Sequence, residues 1–157
     1  MADLTHNTIT YNQILKKFED VITANKFIKT FVAGDIYEID LTETTYMYAH
    51  LSIESARFDN AQLTYSFRLY VMDIVNKDEG NENEVLSDTL QVINDVINEF
   101  RNGSSTFGLA TMQNYDIQDT ISCSPFTERF DNEVSGWSAD IDVTVINHYN
   151  ACNNPYS

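Results

Sequence analysis

Apolar side chains recur at every second position in three segments of this chain, and that period decides its fold class. The segments are Met47–Ile53, Leu63–Val71 and Trp137–Val145. Successive side chains of a strand point to opposite faces of a sheet, so this period predicts strands that each bury one face. The turn residues Asp59 and Asn60 separate the first two segments, which predicts an antiparallel hairpin.

The second of these strands ends in Tyr70, Val71 and Met72, which makes its end apolar on both faces. A strand with one wet face would continue to alternate with polar residues. We therefore expect a helix on one side of this end and another subunit on the other. Tyr70 and Met72 are candidate interface residues for that reason.

A helical period precedes the hairpin. Thr10 and Gln13 have the spacing of a capping box, and apolar residues at helical spacing follow them. This pattern predicts a helix at residues 11–24. On its wet face we expect four charged residues, which are Lys16, Lys17, Glu19 and Asp20.

A second helical period follows the hairpin, where apolar residues step by four and three from Leu86 to Phe100. It predicts a helix at about residues 84–101, with Asn83 as its cap and Gly103 as its stop. Between the first helix and the hairpin, residues 27–36 predict a short strand and a turn at Gly34. Residues 103–117 predict a loop with one poor strand.

This order of elements favours a two-layer α+β sandwich, in which an antiparallel sheet carries both amphipathic helices on one face. The length of 157 residues suits a single domain. We expect its ordered core at about residues 10–147, between a polar N-terminal arm and a polar C-terminal tail.

The chain is strongly acidic, with nine Lys and Arg against 24 Asp and Glu and a net charge of −15. Such a surface repels phosphate, so we predict no specific binding of nucleic acid. The charge could serve solubility alone, or form an acidic wall along which DNA passes without adhesion.

Cysteine usage and hydropathy predict the compartment. Cys123 and Cys152 are too few for a disulfide framework, and residues 1–13 lack the apolar core of a signal peptide. No apolar run approaches the roughly 20 residues that cross a bilayer. We expect a protein of the reducing cytoplasm that does not enter a membrane.

No catalytic motif is found, so we predict a protein that is not an enzyme and needs no cofactor or metal. With five glycines, the chain contains no GxGxxG, Walker or GxSxG sequence. A zinc site would require Cys123 and His50 to converge with His148 and Cys152. The acids of residues 78–84 lack the spacing of a calcium loop and suit the start of a helix.

Asp73 is the one carboxylate at a position where the strand alternation predicts an apolar residue. A buried carboxylate could serve acid–base catalysis. We favour the other interpretation, in which Asp73 caps the turn or the second helix.

Three large aromatic residues lie in the turn-rich segment 125–137, namely Phe126, Phe130 and Trp137. They either seal one end of the core or anchor a protein interface, where aromatic residues contribute much of the binding energy. We take all three as candidate interface residues and keep both interpretations open.

Four segments, in this order, resemble a known family: ANKFIKTFVAGDIYEID, LYVMDIVNKDEGNE, EVLSDTLQVINDVINEF and PFTERFDNEVSGWSADIDVTV. With the first helix they span most of residues 11–147. The family is that of the tail-terminator and neck or tail-completion proteins of tailed bacteriophages, especially those of crAss-like gut phages. The resemblance implies a non-enzymatic α+β subunit that forms a six-fold or twelve-fold ring at the head–tail junction.

The resemblance also implies structural roles for individual residues. Gly34 and Asp35 match the turn after the first helix, and Asp73 matches the end of the long hairpin. Phe126, Phe130, Gly136 and Trp137 match the final motif. No catalytic role comes with any of them.

From these observations we expect a ring-forming structural protein of the virion, assembled in the host cytoplasm with other neck, portal or tail proteins. The alternative is a small monomeric adaptor, or an inhibitor, that binds a protein through the same aromatic segment. An enzyme that uses acidic residues is the third possibility.

Overall fold

The computed structural model describes residues 9–35, 46–76, 80–102, 115–129 and 133–147. Within these ranges the chain forms two α-helices and six β-strands. In chain order they are α1 (Tyr11–Ala24), β1 (Thr30–Ala33), β2 (Tyr48–Asp59), β3 (Gln62–Ile74), α2 (Glu82–Asn102), β4 (Tyr115–Ile117), β5 (Cys123–Arg129) and β6 (Glu133–Ile146).

One mixed sheet joins the six strands in the order β1-β2-β3-β6, and both β4 and β5 pair with the outer side of β6. β1 lies parallel to β2, while the other described pairs are antiparallel. The α+β class is confirmed, but the prediction of a purely antiparallel sheet is wrong at one edge. Parallel neighbours need a connection of about a dozen residues or more, and residues 34–47 supply it.

The predicted hairpin is confirmed, since Asp59 pairs with Gln62 and the chain turns at residues 60–61. A bulge between Ile53 and Ser55 interrupts the pairing of β2 with β3. β3 occupies the centre of the sheet because its other side pairs with β6 along its whole length.

α1 has the predicted bounds, and Thr10 and Gln13 form the predicted capping box. α2 begins two residues before its predicted start, so Asn83 lies inside the first turn and is not the cap. Asn81 takes that place: its main-chain carbonyl accepts from the Val85 amide, and its side chain accepts from the Asn76 amide. The proposed stop, Gly103, lies outside the described residues.

Both helices pack on the same face of the sheet, as predicted, and build one core with it. Phe18 of α1 is fully buried at the centre of this core. Its ring stacks on Phe100 of α2, with centroids 4.2 Å apart, and lies 5.0 Å from the ring of Phe67 on β3. A single aromatic cluster therefore ties the two helices to the sheet.

Lys17 was predicted to lie in water, but it is only 1% exposed. Its ammonium donates to the Tyr115 hydroxyl and lies over the rings of Tyr115 and Phe100, at 4.2 and 5.0 Å from their centroids. The Tyr115 hydroxyl in turn donates to the Phe100 carbonyl at 2.7 Å. Burial lowers the pKa of Lys17, and Glu99 partly opposes that change. The long side chain reaches the seam between α1, α2 and β4, which a helical period does not reveal.

β5 is a strand where the sequence predicted a turn-rich loop. It continues the line of β4 along β6, and one side chain bridges the gap between the two. The Gln118 amide donates to the Asp140 carbonyl at 2.8 Å, and its oxygen accepts from the Asp142 amide at 2.7 Å. The side chain thus supplies hydrogen bonds that a strand backbone would otherwise make.

Neither helix of the described chain combines the length and the hydropathy that a membrane span requires.

Candidate interaction surfaces

Trp137 lies on the helix-covered face of the sheet. It is half-buried against the core, and its indole nitrogen donates to the Leu86 carbonyl of α2 at 2.8 Å. An indole N–H held by a helix carbonyl fixes the helix to the strand. Of the two interpretations of the aromatic segment, core packing is the one that this position favours for Trp137.

Phe126 lies on the opposite face. There it packs with Met72, Tyr48 and Val134, and its ring meets that of Tyr70 edge-on with centroids 5.9 Å apart. The structure therefore brings together three of the predicted interface residues, which are Tyr70, Met72 and Phe126. Met72 is buried within this second cluster, whereas Tyr70 and Phe126 are partly exposed. Phe130 lies outside the described residues.

Gly136 stands opposite Met72 on β3 and Phe126 on β5. A Cβ atom at this position would lie 2.0 Å from the Val71 carbonyl oxygen and 2.8 Å from the Met72 Cα. Both of these atoms belong to the backbone of the central strand, so they cannot move aside cheaply. The close approach of β3 and β6 therefore requires a glycine here.

Gly34 ends β1 with a positive φ of 153°, a conformation that suits glycine. Its carbonyl accepts a 2.9 Å hydrogen bond from Nε2 of the buried His50, and Nδ1 of that ring faces the Tyr48 hydroxyl at 2.9 Å. Since the carbonyl can only accept, Nε2 carries a proton, and in the neutral ring Nδ1 accepts from the Tyr48 hydroxyl. Burial raises the pKa of Tyr48 to about 12. Asp35, which follows the turn, is exposed.

Asp73 lies near the end of β3, where its carboxylate accepts from the Ile74 amide at 2.8 Å. This bond is local to β3, and the assignment of Asp73 as a cap of the turn or of α2 stays a prediction. The neighbouring Ser135 is fully buried and shares hydroxyl contacts with Thr127 and with Glu82 at the start of α2. The polar groups at this end of the sheet hold α2 to β5 and β6.

Within the described ranges, no three His, Cys, Asp or Glu side chains cluster as metal ligands would. His148 and Cys152 lie outside those ranges. Burial, and secondly the charge of Asp140, raises the pKa of the Cys123 thiol. A raised pKa lowers the thiolate fraction at neutral pH, so the position does not favour a catalytic cysteine nucleophile.

β2 changes character along its length. Its first five residues are buried, whereas Ile53–Asp59 are all exposed. β1 pairs only with Tyr48–Leu51, so the exposed half is an edge strand in the described sheet. It carries Ile53, and also Phe58, which is 73% exposed. An edge strand with uncovered apolar side chains is a site for contact with another chain.

A surface pocket of about 570 Å³ adjoins this edge and is lined by polar residues that include Asp35 and Glu54. Arg68, which also lines it, donates to Asp140 at 2.7 Å. This bond raises the pKa of Arg68. The guanidinium is thus already engaged with a carboxylate.

Sequence reasoning missed another exposed aromatic residue, Phe27, which lies in the turn between α1 and β1. Phe27 is 66% exposed and stands between the exposed Lys26 and Lys29. An aromatic residue flanked by two of only nine basic residues is the signal that could have identified it.

An apolar groove of about 520 Å³ runs between α2 and the start of β5. Leu90, Ile93 and Ile97 line it from the helix, and Ile121 and Cys123 line it from the other side. Leu90 remains 38% exposed. Cys123 of this groove lies two residues before the predicted aromatic segment 125–137.

Neither the comparison with protein-family models nor the comparison with curated proteins gives a match to this chain.

Proposed function

We propose that this protein is a structural subunit of a tailed-bacteriophage virion and assembles into a ring in the neck or tail region, where the head joins the tail. The virion role is supported by the resemblance of the four sequence segments to neck and tail-terminator proteins. The assembly is supported by surfaces that a monomer leaves uncovered.

The observation that carries the proposal is the exposed half of β2. Residues Ile53–Asp59 form an edge strand that holds Ile53 and the highly exposed Phe58. Soluble monomers usually protect such edges with prolines, charged side chains, bulges or covering loops, because an open apolar edge invites association. This edge has a bulge between Ile53 and Ser55 and an ion pair between Arg57 and Asp59, but Phe58 beside them stays exposed. A neighbouring subunit would cover this edge in an assembly.

The charge of −15 supports the same function. Acidic subunits around a passage would repel the DNA backbone, which allows a genome to move through without adhesion. The partly exposed Tyr70 and Phe126 offer a further aromatic contact, on the face opposite the helices.

Negative-stain electron microscopy tests the proposal directly. We expect ring-shaped particles from the purified protein, or from the protein mixed with its portal and tail partners. The Phe58→Lys variant is the comparison, since its charge lies on the exposed edge and leaves the core intact; it should give fewer rings. Monomeric behaviour of the native chain in both preparations would refute the ring.

The second candidate is a monomeric adaptor or inhibitor, which the apolar groove between α2 and β5 favours. Pockets of roughly 300–1,000 Å³ hold small ligands or single anchoring side chains, and the volume of this groove falls in that range. Light scattering separates the two candidates, because an adaptor keeps the mass of one chain at every concentration.

A further inference from the structure

We propose that Phe27 of one subunit enters the groove between α2 and β5 of the next subunit, and that this contact closes the ring. The inference rests on the proposed function, since it identifies the two surfaces through which that ring would form.

The turn that carries Phe27 is held firmly. The Phe27 amide donates to the Asn25 side chain at 3.0 Å, and the Ile28 amide donates to the Asn25 carbonyl at 3.3 Å. Ile28 is buried in the core, and the Lys29 amide donates to the Met47 carbonyl at 2.8 Å. An aromatic side chain on a fixed turn loses little conformational entropy on binding, which is typical of a strong anchor.

The groove offers a matching receptor. Its lining is mainly aliphatic, with Leu90, Ile93 and Ile97 on α2 and with Ile121 opposite. Its volume of about 520 Å³ has room for one aromatic ring. Burying such a ring removes apolar surface of both partners from water, which is the main source of affinity at an interface.

Charges around the two surfaces are complementary. Lys26 and Lys29 flank Phe27, and residues 21–34 contain no acidic residue. α2 carries five acidic residues and one Arg, so its formal charge is −5 + 1 = −4. Asp88 and Asp95 are exposed on this helix, and the side chain of the groove residue Gln91 donates to Asp95. Opposite charges at the rim favour this pairing over others.

The two surfaces lie on opposite sides of the subunit. β1, which follows Phe27, is at one end of the strand order, and β5 is at the other end, beyond β6. A contact between different surfaces is heterologous, and repeated heterologous contacts form a closed ring when the rotation between neighbouring subunits closes. A second copy is therefore the occupant that fits both the position and the charge of the groove.

Disulfide trapping tests the contact, because Cys123 already lies in the groove. The experiment uses Phe27→Cys in a Cys152→Ser background, with copper phenanthroline as oxidant. We expect covalent dimers and higher multimers, with mass spectrometry locating the bond between positions 27 and 123. The matched control is Ile146→Cys, which places a thiol at an exposed apolar residue that belongs to neither proposed contact and lies at the far end of the sheet from Phe27.

Bonds between two position-27 thiols, or a yield no greater than that of Ile146→Cys, would overturn the inference. Adding Cys123→Ser should abolish the specific product. Unlinked variants should keep the thermal unfolding temperature of the native chain, since Phe27 is mostly exposed.

Charge reversal provides an independent test. We expect Lys26→Glu with Lys29→Glu to weaken self-association at least about tenfold, and Asp88→Lys with Asp95→Lys to do the same. In a mixture of the two double variants, the acidic turn of one variant meets the basic helix of the other, and the basic turn meets the acidic helix. Every contact of a ring in which the two variants alternate is then attractive, so assembly should return. Assembly that stays weak in the mixture contradicts the pairing.

The two proposals fail in different ways. Two results together refute this contact and leave the ring standing: rings persist in the Phe27→Ser variant, and the Phe27→Cys variant forms no bond between positions 27 and 123. Specific cross-links in a protein that never forms rings refute the ring and leave the contact. A native chain that shows neither result refutes both.

Discussion

The two faces of the sheet both carry aromatic side chains, but they hold them by different means. On one face, α1 and α2 cover a continuous core that includes Phe18 and the half-buried Trp137. On the other, a small cluster of Tyr48, Met72 and Val134 is bordered by the partly exposed Phe126. Trp137 and Phe126 belong to the same short sequence segment and still point to opposite faces.

The comparison teaches that an aromatic motif need not act as a unit. Strand geometry sends consecutive side chains to opposite faces, whereas residues paired directly across two strands share a face. Trp137 pairs with Pro125, while Gly136 pairs with Phe126. The helix side of the segment contributes to folding, which leaves its other side available for contacts.

The largest expected effect tests the helix-covered face. Phe18→Ala should lower the free energy of unfolding by about 3–5 kcal/mol, because it leaves a cavity among three packed rings. Urea unfolding measures the change. A loss below about 1 kcal/mol would mean that α1 does not pack on the sheet as described.

The next effect tests the close contact between the two central strands. Gly136→Ala should lower the free energy of unfolding by about 1–3 kcal/mol, since its methyl group would collide with the backbone of β3. Ser138→Ala, two residues along the same strand, is the matched control and should change stability by less than about 0.5 kcal/mol. Similar losses in both variants would show that the strands are not in such close contact.

The third effect compares the two faces directly. Trp137→Phe removes the hydrogen bond to the Leu86 carbonyl and should cost about 1–2 kcal/mol of stability. Phe126→Leu keeps an apolar side chain and should cost less than about 1 kcal/mol, while it reduces ring formation. Equal losses of stability, with assembly intact, would remove the distinction between the faces.

The smallest effect tests burial on the face opposite the helices. Because burial raises the pKa of Tyr48 to about 12, the unfolded chain releases this proton at lower pH, near the usual value of about 10. The stability due to the protonated hydroxyl is therefore complete below pH 10 and falls between about pH 10 and 12. Relative to Tyr48→Phe, the native chain should lose about 1 kcal/mol between pH 9 and 11 in urea unfolding. If the free energy of unfolding changed equally with pH in the native chain and in Tyr48→Phe, the Tyr48 hydroxyl would be exposed to water.

Local periods predicted much of the fold. The bounds of α1 and its capping box follow from Thr10, Gln13 and the apolar spacing, and the hairpin follows from two alternating runs around Asp59. These features depend on neighbours in sequence, so a single sequence contains the necessary information.

The remaining features depend on distant parts of the chain. β5 was missed because Pro125 and the turn-forming residues around it argue against a strand. An edge strand tolerates a proline, but sequence alone does not say which strands are edges. Lys17 is buried by a tyrosine 98 positions away. The exposure of Phe27 and the groove beside Cys123 depend on which surfaces the other elements leave open, and no local period encodes that.

Gln118 lies at the outer border of the sheet, where the pairing partner of β6 changes from β4 to β5. On its outer side, the Asp140–Asp142 stretch of β6 is held by the Gln118 carboxamide and by a backbone hydrogen bond, which the Asp140 amide donates to the Ser122 carbonyl at 3.2 Å. A substitution of Gln118 would remove the two side-chain bonds and leave the register of β6 with β3 in place. Local opening in such a variant would begin at this border.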